Sequence, residues 1–94
     1  MARKIELFRA IAEMRRISAA GGTFSMKFRK YNRASGRGGD LVTVEHARLR
    51  PAAREERVRD AGHKIFFTDC DRGRSLNCWQ MLVMELNGRK TYLN

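Results

Sequence analysis

Acidic residues are scarce in this chain. Its 94 residues hold ten Asp and Glu against twenty Lys and Arg, a formal charge of +10 at neutral pH. Long apolar runs are missing too: none approaches the ~18 residues that a transmembrane helix needs, so no membrane contact is expected. Met1 to Lys4 lead straight into a charged amphipathic pattern, without the apolar stretch and small-residue cleavage site of a secretory signal. There are two cysteines and no C-x-x-C pair. With no secretion signal, that cysteine usage predicts a reducing, cytoplasmic setting. No internal repeat or linker-like stretch divides the chain, and its length suits one domain spanning residues 1–94.

Catalytic signatures are equally thin. Gly36, Gly38 and Gly39 cluster, but Gly-Lys-Ser/Thr is absent and Arg37 to Asp40 lacks the spacing of a dinucleotide-binding turn. Ser, His and Asp stand in no recognisable triad, and so short a chain leaves little room for a deep pocket. No enzyme activity and no cofactor are expected. His46, His63, Cys70 and Cys78 are the soft metal ligands, yet none is paired at a finger-like spacing. The stretch Asp69 to Ser75 resembles a calcium loop only faintly, because it lacks a terminal Glu and carries Arg72 and Arg74. Asp and Gly there are better explained by turn chemistry. No metal site is expected.

What is present is enough apolar residue to fold: 43% hydrophobic is a globular composition. Arg3 to Ala19 reads as a helix, with Leu7, Ile11, Met14 and Ile17 on one face and Glu6, Arg9, Glu13 and Arg16 opposite. Gly21-Gly22 ends it. Thr23 to Asn32 alternates as a half-buried strand, Phe24, Met26 and Phe28 facing inward. Arg33 to Asp40 has loop composition, and Leu41 to Arg50 reads as a returning strand, giving a long hairpin. Pro51 to Ala61 fits a short helix and, nearly as well, a charged surface loop. Lys64 to Asp69 is a further strand, and Cys70 to Ser75 turns back into Leu76 to Leu86. That last segment is apolar on both faces, which predicts a central strand with Trp79 buried. Asn87-Gly88 then calls for a type I′ turn into Arg89 to Leu93. The expected fold is α+β: an N-terminal amphipathic helix followed by about five short antiparallel strands in a bent or barrel-like sheet.

Fifteen of the twenty cations are Arg, whose planar fork binds phosphate or carboxylate through paired donors. The sharpest cluster is the acid-free run holding Lys27, Arg29, Lys30, Arg33 and Arg37, with Tyr31 among them. Basic residues interleaved with an aromatic neutralise phosphates while the ring stacks on a base. The glycines of the tip would let backbone approach a phosphate. A solvated strand face with a basic tip explains the same run almost as well. Arg48, Arg50, Arg54 and Arg57 form a second basic stretch.

The segments Thr23 to Tyr31, Gly39 to Val42, Ala47 to Pro51, His63 to Asp69 and Trp79 to Gly88 resemble small uncharacterised proteins carried on prophages and other mobile elements of gut bacteria. The resemblance covers roughly residues 23–93 and brings no catalytic residues with it. It implies a mobile-element setting, where small basic domains handle DNA or build particles. The expectation is therefore a non-enzymatic basic module that binds nucleic acid, or another polyanion, non-specifically through residues 27–37. The alternative is a structural or assembly protein of a phage or mobile element whose partner is another protein.

Overall fold

The computed structural model describes residues 3–32, 37–54 and 61–93, and for residues 31, 32, 37, 38 and 61 the backbone alone. Among these residues one α-helix lies against a seven-stranded mixed sheet. In chain order the elements are β1 (Lys4–Glu6), α1 (Leu7–Ala19), β2 (Phe24–Asn32), β3 (Arg37–Leu49), β4 (Lys64–Asp69), β5 (Arg74–Trp79), β6 (Val83–Leu86) and β7 (Arg89–Tyr92). The sheet order is β1-β7-β6-β2-β3-β4-β5, which puts β2 at the centre.

The helix forms where its apolar spacing predicts it. Leu7, Ala10, Ile11 and Met14 are buried, the i, i+3, i+4, i+7 stripe of a helix packed on one side. It starts at Leu7, later than its amphipathic pattern suggests. Lys4–Glu6 instead extends parallel to β7, Ile5 lying opposite Thr91, and Glu6 caps the first turn by accepting the Phe8 N–H at 2.8 Å. At the other end Gly21 takes a φ of +83°. Gly21 N–H donates to the Ser18 carbonyl at 3.0 Å and Gly22 N–H to that of Ile17 at 2.9 Å. This is the paired termination that favours glycine just past a helix.

The strands are phased by bulges. Phe24, Met26 and Phe28 are buried along β2, as the period of two requires. On β3 the buried residues are Val44 and Ala47, three apart. The register with β2 shifts between them, so Glu45 and His46 both oppose Ser25 and both are exposed. A second shift sets Gly39 and Asp40 against Lys30. A Cβ on Gly39 would lie 2.9 Å from the Lys30 carbonyl oxygen, so the glycine serves the chain's own close approach there. The β6–β7 turn is type I′ in sense: Asn87 and Gly88 have φ of +49° and +81°.

The region around Trp79 departs from the expected single central strand. Leu76 to Leu86 is two strands, β5 at the sheet edge and β6 beside β2, separated by a 3₁₀ turn at Gln80–Leu82. The turn inverts the pleat. Leu76 and Cys78 face inward before it; Val83 and, past another bulge, Leu86 face inward after it. The segment therefore looks apolar on both faces although each strand has one inner face. Trp79 is only partly buried, its ring lying 4.9 Å from the Lys64 ammonium.

The same turn bends the sheet. In a flat sheet, the four strand spacings between β5 and β6 would separate them by about 19 Å. Trp79 to Val83 spans far less, roughly 8 Å at 3₁₀ rise. The sheet must therefore curl until β5 comes back towards β2. Phe28 of β2 and Phe67 of β4 meet edge-on across the inside, centroids 5.6 Å apart. The curl is not a closed barrel: β7 and β1 continue past β6, β1 runs parallel, and the strands number seven rather than five. Helix α1 lies on the inner face, held to β3 by Ser18 Oγ accepting the Leu49 N–H at 2.9 Å and to β7 by the Glu13–Arg89 ion pair. Of the stretch expected as short helix or loop, residues 55–60 lie outside the described residues.

The burial pattern ranks two aromatic truncations. Phe67, at 0% exposure, should cost about 3–5 kcal/mol when changed to Ala. Against a total of about 5–15 kcal/mol for a small domain, that variant should be barely folded. Trp79→Ala should lose clearly less, because its ring is partly solvated at an edge strand. Urea midpoints of the two variants check the order; equal losses would contradict the placement of Trp79.

Candidate nucleic-acid interface

The β2–β3 hairpin outruns the rest of the sheet. Strand β2 has β6 as a second neighbour only from Met26 to Phe28, and β3 has β4 only from Ala47 to Leu49. From Arg29 and Leu41 outward the two strands pair with each other alone, Tyr31 opposite Gly38 and Asn32 opposite Arg37. The result, among the described residues, is a two-stranded ribbon standing off a curled sheet. Strand β3 begins at Arg37, so the segment expected as loop from Arg33 to Asp40 is partly strand; residues 33–36, including Arg33, lie outside the described residues.

The basic residues divide between the ribbon's two faces. Lys27 and Arg29 share the outer face, as their spacing predicts. Arg29 is exposed, and opposite it Leu41 is 47% exposed. Lys27 is not a free cation. It sits directly across from Glu85 of β6, Nζ to Oε2 3.1 Å. The run is acid-free along the chain but not in space. Lys30 falls on the other face, two residues after Phe28, and lines a cleft with Arg72 of the β4–β5 turn and Arg74 at the start of β5. Those two arginines were invisible as partners because the turn lies some forty residues further along the chain. For Tyr31 and Arg37 the backbone register fixes the position on the ribbon.

Two residues of the second basic stretch, Arg48 and Arg50, are committed elsewhere, while Arg57 lies outside the described residues. Arg48 donates to the carbonyls of Gly22 and Gly21 at 3.1 and 2.7 Å, closing the helix end. Arg50 donates to the carbonyls of Phe67, Pro51 and Leu76 at 3.1, 3.1 and 2.9 Å, its guanidinium 5.8 Å from the Phe66 centroid. Both side chains hold strands and turns together.

The soft ligands do not assemble. His46 Nδ1 donates to the Asp71 carboxylate at 2.9 Å, while Cys78 is buried and its thiol is pushed up to about 12 by desolvation. Among the described residues no group of three or more His, Cys, Asp or Glu is placed to hold a metal, and no helix is long and apolar enough to cross a membrane. No protein-family model, no curated protein and no solved structure matches the chain.

Two measurements follow from these contacts. A chelator should leave the melting temperature unchanged; a structural metal would contribute folding energy and lower it on removal. The hydrogen bond to Asp71, with the carboxylate's charge, raises the His46 pKa above its ordinary 6.5. A raised folded-state value favours the charged form in the native state. The stabilisation from the His46–Asp71 contact is thus fully present below pH 6.5 and lost as pH rises through the folded-state value. Melting curves from mildly acid to mildly alkaline pH should show that loss, and Asp71→Asn should abolish it.

Proposed function

We propose that the protein is a non-enzymatic nucleic-acid-binding module whose β2–β3 ribbon lies along the phosphate backbone of a duplex. One observation carries this reading: the stretch where β2 and β3 pair with each other alone coincides with the basic run, Arg29, Lys30 and Arg37 lying on it, and the chain from Arg29 to Arg37 holds four cations and no acid. A two-stranded ribbon is narrow enough for the major groove, about 12 Å wide. Arginine forks on its flanks suit phosphate oxygens. Contacts of this type position a protein without reading sequence, so binding is expected to be largely sequence-independent. Cytoplasmic action on mobile-element DNA accords with the resemblance of the segments between residues 23 and 93. Lys27, with Glu85 across from it, contributes little.

The alternative is an assembly protein docking on an acidic protein partner. It is favoured by the exposed apolar side chains Phe8, Met81 and Leu93, which a purely electrostatic binder has no need of.

Binding to a short duplex and to a single strand, each over a salt series, separates the two. Each phosphate neutralised on duplex DNA adds about −0.9 to the log–log slope. Replacing Arg29, Arg33 and Arg37 together with Ala should flatten the slope by up to about three. Lys27→Ala should barely change it. Tyr31→Ala should weaken single-strand binding more than duplex binding, since stacking contributes about 1–3 kcal/mol per base. No binding to either form at low salt would overturn the proposal and leave the assembly reading in front.

A further inference from the structure

We infer that the mouth of the curled sheet at the base of the ribbon, lined by Lys30, Arg72 and Arg74, is a second phosphate site, taking the duplex backbone on the opposite side of the ribbon from Arg29. This rests on the ribbon reading and extends it to a turn that the basic run does not include.

The placement follows from the pleat. Lys30 shares the inner face with Phe28, whereas Arg29 points outward. The curl brings the β4–β5 turn to that inner side, where Lys30, Asp69, Arg72 and Arg74 rim a cleft of about 170 Å³ floored by Phe28, Val42 and Leu76. At ~30 Å³ per water, it has room for several waters and so for a phosphate's oxygens. Three cations and one acid line it, and that acid is already occupied; Asp40 lies across the ladder from Lys30, and Asp71 and Glu45 lie near Arg72 outside the lining. Asp69, 2% exposed, accepts the Asp71 N–H at 3.1 Å, the Arg72 N–H at 3.4 Å and Arg72 Nη1 at 2.9 Å.

Asp69 therefore acts as a positioning residue rather than a competitor. It holds one corner of the Arg72 guanidinium while 62% of that side chain stays in solvent. The turn itself is fixed: Gly73 N–H donates to the Asp69 carbonyl at 2.8 Å with Gly73 at φ +65°, and Cys70 N–H donates to His46 of β3 at 2.8 Å. Arg74 stands directly across the ladder from Asp69 and is exposed. An arginine oriented before binding loses less side-chain freedom on meeting a phosphate. The apolar floor keeps the charges on the rim, where a backbone passing over them can touch all three. With Arg29 on the outer face and these three on the inner, a ribbon lying in a groove would meet both flanking backbones.

The test uses the intact protein and a short duplex over a salt series, with melting temperature as the fold control. Arg74→Ala should flatten the log–log slope by about 0.9. Arg74→Ala with Lys30→Ala should flatten it by nearly twice that, and both variants spare the Asp69–Arg72 contact. If the triple ribbon variant flattens the slope while the Lys30/Arg74 pair leaves it at wild type, the cleft is refuted and the ribbon stands. If the pair flattens the slope and the ribbon variant does not, the cleft stands as the main site and the ribbon reading falls. Flattening by both supports the two-sided grip. A wild-type protein that binds no duplex at low salt overturns both.

Discussion

A three-residue turn has to join an edge strand to an inner one, and the architecture depends on that constraint. Strands β5 and β6 sit at positions separated by β4, β3 and β2, yet Gln80–Leu82 links them directly. Only a strongly curled sheet lets so short a link close. The curl gives a small chain an inside: Phe28 and Phe67 meet across it, and α1 covers it with Leu7, Ala10, Ile11 and Met14. A flat seven-stranded sheet with a single helix would leave much of one face bare. The link does covalently what a closing hydrogen-bond ladder does in a barrel, and it leaves β7 and β1 to extend the sheet past the seam.

Curling also decides which charges meet. Lys27 and Glu85 are remote in the chain and adjacent on the sheet, so one cation of the basic run is neutralised. Lys30 is equally remote from Arg72 and Arg74, and the three rim one cleft. Arg48 and Arg50, which look like a further basic patch along the chain, donate to backbone carbonyls and act as internal braces. Charge in this protein therefore has two roles. Arg48 and Arg50, near the sheet–helix seams, donate to backbone carbonyls, and Arg29, Arg72 and Arg74, at the ribbon's base and the open end of the sheet, are exposed.

The bulges explain why periodicity alone misplaced parts of the chain. An alternating pattern holds through Phe24, Met26 and Phe28, and the inner face of β2 is legible at once. Val44 and Ala47 on β3, and Val83 and Leu86 on β6, are buried at a spacing of three because each strand carries one extra residue. A fixed period of two reads across such a bulge as a change of face. At Cys78 to Val83 the phase changes through a 3₁₀ turn, and the same rule turns two strands into one central strand. The parallel pairing of Lys4–Glu6 with β7 was hidden for another reason: a three-residue strand has no period to detect, and its partner lies at the far end of the chain.

Local chemistry was thus settled by the sequence itself. The helix stripe, its glycine termination, the β2 and β4 strands, the Asn87-Gly88 turn and the basic character of residues 27–37 all depend on neighbours within a few positions. Short-range sterics and spacing are enough to specify them. Tertiary structure alone decided the sheet order, the direction of the curl's inner face, the pairing of Lys27 with Glu85 and the meeting of Lys30 with Arg72 and Arg74. Each of these joins residues tens of positions apart. A strand's own pattern records which face is apolar but not which strand it will lie beside, because backbone hydrogen bonds to any partner are alike. The choice is made only when the whole apolar surface closes on itself.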